Sequence, residues 1–533
     1  MIPVLRLQAR RDRVTSSIWI AGIVLIGLVS AKAVATEYGG PVSRSGVLRV
    51  ALATPSLLAL RGAPNGGSLG SATWFQVCAF LGVGVGLFNT FLATRHGRGD
   101  EEHGRRELLG ALPLGRTAPL AATLVLGVAG NLVLGLLAAG AFALGGLPGR
   151  GALVAGAALA ATGLAFLGVA LLVGELAPTS RSANGTAATL VLVAYALRGA
   201  GDALGQPDLR RLTLTSAWPS WLSPIGWAEQ TFAFTRDDPA PLLLSLALFA
   251  VTAAVAFALR ARRDLGWSVV PERPGRGTAS RALGGPLGLA WRLQWPAATG
   301  WAVGSALLGA LIGSLAVAVK DLLREDPQVQ PLIASMANRG GGITDVFVAA
   351  VLTLIVMLAA AAGIQAALRL HEDETGGRAE GLLAAPLARA RWLLATVVVG
   401  WACAGVVLVA TALTTWGGLA AAGEQDAALH ALGQALAGLP AAFAFPGLTA
   451  LLVAVLPRAA VVGVWTLYGV AVGIGVFGGL LDLPDAVRYA SPFADVPTVP
   501  ITDWTGFLVL LAVDLLLPAL AIAAYRRRDL LVV

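Results

Sequence analysis

Charge is scarce in this sequence. Asp, Glu, Lys and Arg together make up 13% of 533 residues, about half the share usual in a soluble globular protein. With 56% hydrophobic residues and a mean hydropathy of +0.76, that shortage excludes a soluble enzyme and a disordered scaffold. Lysine is nearly missing: of 38 basic residues only Lys32 and Lys320 are not arginine. Neither stands in Gly-Lys-Ser/Thr, the arrangement in which a lysine reaches the β- and γ-phosphates of a nucleotide, so no enzyme centre of that kind is expected. The two cysteines, Cys78 and Cys403, both fall inside apolar runs and offer no disulfide framework. The four histidines lack metal-ligand spacing, so no metal site is expected. Glycine is abundant, with 66 residues, but has no Gly-X-Y period, which removes collagen. What is left is an integral membrane protein, whose long apolar stretches require an apolar solvent.

Twelve stretches are long and apolar enough to predict membrane spans. The first six are Ile18–Ala35, Ala72–Thr94, Ala118–Gly146, Ala152–Leu176, Ala183–Leu197 and Pro241–Leu259. The other six are Ala297–Val319, Val346–Leu370, Trp392–Ala422, Ala428–Leu456, Val461–Leu481 and Trp504–Tyr525. An even number of spans puts both termini on one side. That side carries 25 of the 38 basic residues, against 13 basic and 16 acidic on the other, so the termini are expected in the cytoplasm. The net charge of +8 therefore reads as orientation in a bacterial plasma membrane; no nucleic-acid partner is expected. Trp218, Trp221 and Trp227 gather near an expected outer boundary, where amphipathic rings belong.

The chain repeats itself. Arg6-Leu7-Gln8 and Leu25-Ile26-Gly27 return as Arg292-Leu293-Gln294 and Leu311-Ile312-Gly313. The loop after the second span, Asp100–Arg116, matches Asp373–Arg389 at ten of seventeen positions. Ser223-Pro224 returns as Ser491-Pro492, and Arg262-Arg263-Asp264-Leu265 as Arg527-Arg528-Asp529-Leu530. The expected organisation is a first six-span half over 1–265, a cytoplasmic linker over 266–286 that includes the Pro/Gly-rich Pro271–Pro286, and a second half over 287–533. Six spans per copy make the two copies parallel, related by an axis along the membrane normal.

The repeated loop is the most informative segment. Acidic residues open it, arginine closes it, and Arg105 with Leu108 and Leu109 gives a short amphipathic helix at the membrane surface, ended by Pro113 in one copy and Pro386 in the other. The pattern E-x-x-G-R-x-E-x-L-x-A-x-P-L-x-R after the second span resembles the coupling-helix region of type-2 ABC export permeases. The tandem arrangement is similar to the actinobacterial permeases of polyketide-antibiotic and multidrug export. The resemblance covers the whole chain, including an amphipathic N-terminal helix over Val4–Arg13. It implies an all-α membrane protein of two fused, ABCG-like six-helix halves. It also implies a separate ATP-binding subunit in two copies, holding ATP and magnesium, and export of a hydrophobic drug or secondary metabolite across the lipid bilayer. Carried over by position, Glu101, Gly104, Arg105, Glu107, Pro113 and Arg116 form one ATPase-coupling site and Glu374, Gly377, Arg378, Glu380, Pro386 and Arg389 the other. The second and fifth spans of each half line the substrate path in that family. Here they carry Phe75, Phe88, Asn89, Phe91 and Tyr195, then Phe347, Met357, Gln365, Trp465 and Tyr468.

Two other readings stay open. Gly97, Glu101, Gly104, Arg105 and Arg106 have the spacing of a major-facilitator loop motif, and a proton-driven transporter also has twelve spans in a parallel repeat. Such a pump usually needs acids within its spans, and Asp514 is the one that lies deep in an expected span. A non-transporting membrane scaffold is the third reading.

Overall fold

A computed structural model describes residues 2–110, 115–264, 270, 277–324, 343–477, 484–494, 496 and 504–528. Residues 266–269 and 271–276 of the expected linker 266–286 lie outside them, as do much of the loops after the seventh and eleventh spans and Leu265, Asp529 and Leu530 of the repeated ends. The described chain is helical apart from two three-residue strands, Gln206–Asp208 and Thr213–Thr215, paired antiparallel. It divides into two compact units, Met1–Pro274 and Gly275–Val533. Among the described residues nine helices are long and apolar enough to cross a membrane. The fifth, seventh and eleventh expected spans fall in the helices Ser180–Ala203, Pro286–Arg324 and Ala460–Phe477.

The first unit is built around the helix Gly149–Leu176, most of whose residues are buried. Its Ala/Gly sequence lets neighbouring backbones come close, which is how helices associate where the solvent is as apolar as leucine. A Cβ at Gly156 would fall on the carbonyl oxygen of Gly135 in the helix Ala118–Leu144, and one at Gly163 on the Asn131 side chain. Asn131 has a reason to be there. Its amide and that of Asn89, on Leu69–Thr94, donate to each other at 2.7 and 2.9 Å, a fully buried reciprocal pair joining two helices. At the end away from the termini, the segment between the first two long helices folds into Pro41–Ala53 and Pro55–Arg61. Buried Arg198 donates to the carbonyls of Leu58 and Ala59 and pairs with Asp202 and Glu229, tying this cap to Ser180–Ala203. The Ser223 hydroxyl accepts from the backbone N–H groups of Ile225 and Gly226 and so caps a short helix, Pro224–Glu229. Ile225 packs on Gly82, halfway along Leu69–Thr94, so this element dips toward the middle of the unit.

The N-terminal segment departs from expectation. Val4–Arg13 is not a separate helix but the start of one continuous helix, Ile2–Glu37. Val14-Thr15-Ser16-Ser17 contains no Pro or Gly to break it, and Val4, Gln8 and Asp12 form one buried stripe at intervals of four. In the second unit the tenth expected span falls on the apolar stretch Gln425–Val455, whose helix is interrupted at a single residue, Gly438, which keeps right-handed helical angles. Gln425–Ala437 ends at Gly438, and Leu439–Val455 begins with Pro440 in its first turn. Gly363 and Gly400, on Ile343–Ala367 and Arg389–Ala421, face each other's carbonyls and both abut the Pro446 ring, so three helices meet where no side chain intervenes.

Because the Gly163 site has no room for a methyl group, Gly163→Ala is expected to displace the Asn89–Asn131 pair and cost ~1–3 kcal/mol. A lowered thermal midpoint of the detergent-solubilised chain checks this; a change at the open Gly140 should leave it unmoved.

Candidate functional site

In each half the repeated loop folds as a short helical segment, a glycine turn and a second short helix. In the first half the long helix Leu69–Thr94 runs on through a wide turn, Arg95–Gly99, into Asp100–Glu102. Gly104 then takes φ +67°, and Arg105–Gly110 follows. In the second half Arg369–Thr375 leads to Gly377 at φ +70° and then Arg378–Leu383. Both glycine N–H groups donate to the carbonyl of the motif's first glutamate, Glu101 or Glu374, at 3.0 and 3.1 Å. Nothing lies within 4 Å of where a Cβ would stand at either glycine, so the left-handed backbone alone asks for Gly. The arginine after the glycine turns back to the acid that opens the loop: Arg105 to Asp100 at 3.1 Å and Arg378 to Asp373 at 2.8 Å.

The motif's two glutamates face opposite ways. The side chain of Glu101 is 5% exposed and Glu374 is buried, whereas Glu107 and Glu380, in the first turn of the second short helix, are exposed. Glu101 accepts from Arg263 through both oxygens at 2.6 and 2.8 Å, and Glu374 accepts from Arg528. Arg263 and Arg528 are equivalent members of the repeated Arg-Arg-Asp-Leu that ends each half. The same interaction therefore occurs twice: a buried carboxylate in the loop after the second helix holds the guanidinium just past the end of the last. Each arginine also donates to a backbone carbonyl where another helix of its half ends, Arg263 to Glu175 at 3.2 Å and Arg528 to Val453.

The surroundings of the two anchors differ. Glu101 also accepts from Arg98, Arg106 and Arg260 at 2.5 to 2.8 Å. Burial, followed by the nearby Arg260 cation, pushes the Arg106 guanidinium down to about 10, still charged at neutral pH. In the second half the counterparts of Arg106 and Arg260 are Ala379 and Tyr525. The Tyr525 hydroxyl donates to Glu374, and its ring packs edge-on to Trp392 with centroids 6.2 Å apart.

The remaining coupling residues fall at the rim. Arg116 is exposed, 3.8 Å from Asp264, while Arg389 donates to the carbonyl of Arg528 at 2.7 Å. Pro386 is exposed in the bend between Leu383 and Arg389. Pro113 lies outside the described residues, as does the Phe347 side chain.

The expected path residues are mostly occupied in packing. Phe75, Phe88 and Met357 are buried in helix contacts, and Asn89 is committed to Asn131. Phe91 packs on Trp19, and the Tyr195 hydroxyl donates to the Leu60 carbonyl. Tyr468 donates to the carbonyl of Met357 at 2.9 Å and packs edge-on to Trp465. Gln365 is exposed and accepts from the Trp301 indole at 2.8 Å. Asp514 is buried, and among the described residues neither of its carboxylate oxygens has a hydrogen-bond partner.

Sequence reading missed the anchor partners. Arg263 and Arg528 were visible only as part of a repeat, and the repeat itself was their signal. Arg98, Arg260 and Glu175 are not repeated and carried none, and Arg106 was read only as part of a major-facilitator spacing.

Removing one partner of a buried pair costs ~3–5 kcal/mol. Glu101→Gln and Glu374→Gln are therefore expected to lower the thermal midpoint sharply or abolish folded yield. Glu107→Arg and Glu380→Arg, on exposed positions, should leave it within a degree or two. Gly104→Ala and Gly377→Ala lie between, at ~1–2 kcal/mol for a left-handed backbone without a clash. Size-exclusion profiles after a temperature series rank the variants.

A family model for the C-terminal domain of the multidrug efflux system permease Rv1217c matches residues 283–526 of this chain. Over 99% of the chain and 94% of the relative, the sequence is 34% identical to the multidrug efflux system permease protein Rv1217c of Mycobacterium tuberculosis.

Proposed function

The chain belongs to the family of multidrug efflux system permeases represented by Rv1217c, and on that basis we propose that it is the transmembrane subunit of an ATP-driven exporter of hydrophobic compounds. The observation that carries this reading is the duplicated anchor. In each half a loop bearing one outward glutamate is fastened by one inward glutamate to the end of that half's last helix. A force applied at Glu107 or Glu380 reaches two helices of its half at once, which is what a receiver of mechanical work requires.

The companion is a separate ATP-binding polypeptide, two copies per permease, each seated on one loop and each holding its own ATP and magnesium. This chain is not itself the enzyme; without a Gly-Lys-Ser/Thr loop it has no means to grip the nucleotide's phosphates. The twelve predicted spans form two ABCG-like halves, and both termini and both loops lie on the cytoplasmic side of a bacterial plasma membrane. Closure of the ATPase pair would pull the two loops together and tip the halves from inward-open to outward-open; hydrolysis would release them. The substrate, an apolar antibiotic or drug, fits a lining supplied by helices with so few charges.

The test is co-purification and transport. The wild-type chain should retain a P-loop ATPase through purification and export a hydrophobic dye from liposomes only when ATP and that ATPase are present. Glu107→Arg with Glu380→Arg should lose the ATPase and at least tenfold of the export rate while keeping the wild-type thermal midpoint. Export by the chain alone, abolished by a protonophore, would overturn the proposal in favour of a proton-driven transporter.

A further inference from the structure

Beside the first half's anchor, on the face that carries the N-terminus, lies a cavity of about 300 Å³ that the anchor does not explain. One wall is apolar: Val4 and Leu7 of the first helix and Pro119 at the start of Ala118–Leu144. The other wall is basic, with Arg11, Arg105 and Arg106. Gln8, Asp100 and the wholly buried His96 line it as well; the imidazole sits between two carboxylates, Nε2 3.6 Å from Asp12 and Nδ1 3.9 Å from Asp100, while Nε of Arg106 has no hydrogen-bond partner among the described residues.

The charge behind the basic wall is not balanced. Four guanidiniums, those of Arg98, Arg106, Arg260 and Arg263, are each at most 5% exposed and face two carboxylates, Glu101 and Glu175. Further out, Arg11 and Arg105 share the carboxylate of Asp100, and Arg95 pairs with the buried Asp12, so the guanidiniums still outnumber the carboxylates. Desolvated cations in excess of anions are costly, and a counter-anion offsets that cost. The second half shows what the same place looks like without the excess. Its cavity is about 40 Å³, lined by Leu293, Leu382 and Leu387 beside Arg369 and Asp373, and the positions of Arg11 and Arg106 hold Ala297 and Ala379.

Depth identifies the source of the anion. Ala118–Leu144 has 27 residues, ~40 Å of helix, against ~30 Å of hydrocarbon. A helix of that length crossing the bilayer leaves its end turns, the first of them with Pro119, at the level of the headgroups. Leu7 and Ile2, both largely exposed, continue the apolar wall outward.

We propose that this cavity binds the phosphate of an anionic phospholipid, its phosphodiester oxygens on Arg11, Arg105 and Arg106 and its glycerol and first methylenes along Val4, Leu7 and Pro119. The lipid completes the charge balance in the first half only. It bridges the N-terminal helix to the loop there. The inference does not depend on the ATPase reading.

The test uses the purified full chain in neutral detergent. Phosphatidylglycerol is expected to raise the thermal midpoint by several degrees where phosphatidylcholine does not. Arg11→Gln with Arg105→Gln should need at least tenfold more phosphatidylglycerol for the same shift, while the second-half variant Arg378→Gln responds as wild type. Should the double variant not fold, Arg11→Gln alone, at a side chain 32% exposed, carries the same expectation in weaker form. An unchanged response in these variants would overturn the proposal. So would an equal shift from glycerol phosphate, which would make this a soluble-anion site, or a shift seen only on adding the ATPase, which would make the anion an acidic protein side chain.

Discussion

A buried carboxylate holding a buried guanidinium is the constraint on which each half of this molecule depends. Glu101 with Arg263, and Glu374 with Arg528, join two segments about 160 residues apart in the chain. Both carboxylates and Arg263 are at most 5% exposed and Arg528 17%, so loss of either partner leaves a largely desolvated charge unpaired. Beside this contact the arginine after the glycine turn closes on Asp100 or Asp373, and the second glutamate is left exposed. A loop at a membrane surface would otherwise be free to fluctuate; here it is fastened to the end of a helix that the sequence predicts to cross the bilayer.

Duplication preserved the anchor and let its setting drift. In the first half the carboxylate is encircled by guanidiniums, and Arg11 ties the N-terminal helix to Asp100. In the second a tyrosine hydroxyl replaces one guanidinium, and Asp373 draws on Arg369 of its own helix instead. The two loops thus share one geometry but differ in the charge around it. An exporter assembled from two such halves is symmetric in its outward contacts and asymmetric in its supports.

Elsewhere the halves are held by close backbone approach more than by large side chains. Gly135 against Gly156, and Gly363 against Gly400 and Pro446, replace the interdigitated core of a soluble protein. In a bilayer, apolar side chains gain little by leaving lipid, so contact area and the few buried polar pairs carry the association. The Asn89–Asn131 pair is one of these: a polar residue on an expected transport path turns out to be a clamp between helices.

Much of this was legible in the residues. Twelve apolar runs, the asymmetry of arginine and the repeat at Asp100 and Asp373 follow from composition and spacing, because a membrane span must be apolar along its whole length and a duplicated motif keeps its register. The left-handed turn was not read: the loop was expected as one amphipathic helix ended by Pro113 or Pro386, whereas Gly104 and Gly377, at the same place in both copies, divide it in two. What a linear sequence does not encode is which charged residue meets which. Glu101 and Glu107 read alike, both acids in one motif, and only the fold turns one inward to Arg263 and the other out to solvent. The continuity of Ile2–Glu37 and the interruption at Gly438 have local signals, the lack of Pro and Gly in Val14–Ser17 and the Gly438-Leu439-Pro440 sequence, that the hydropathy of a span does not show. Pairing energies between distant charges depend on burial and distance, and both exist only once the helices have come together.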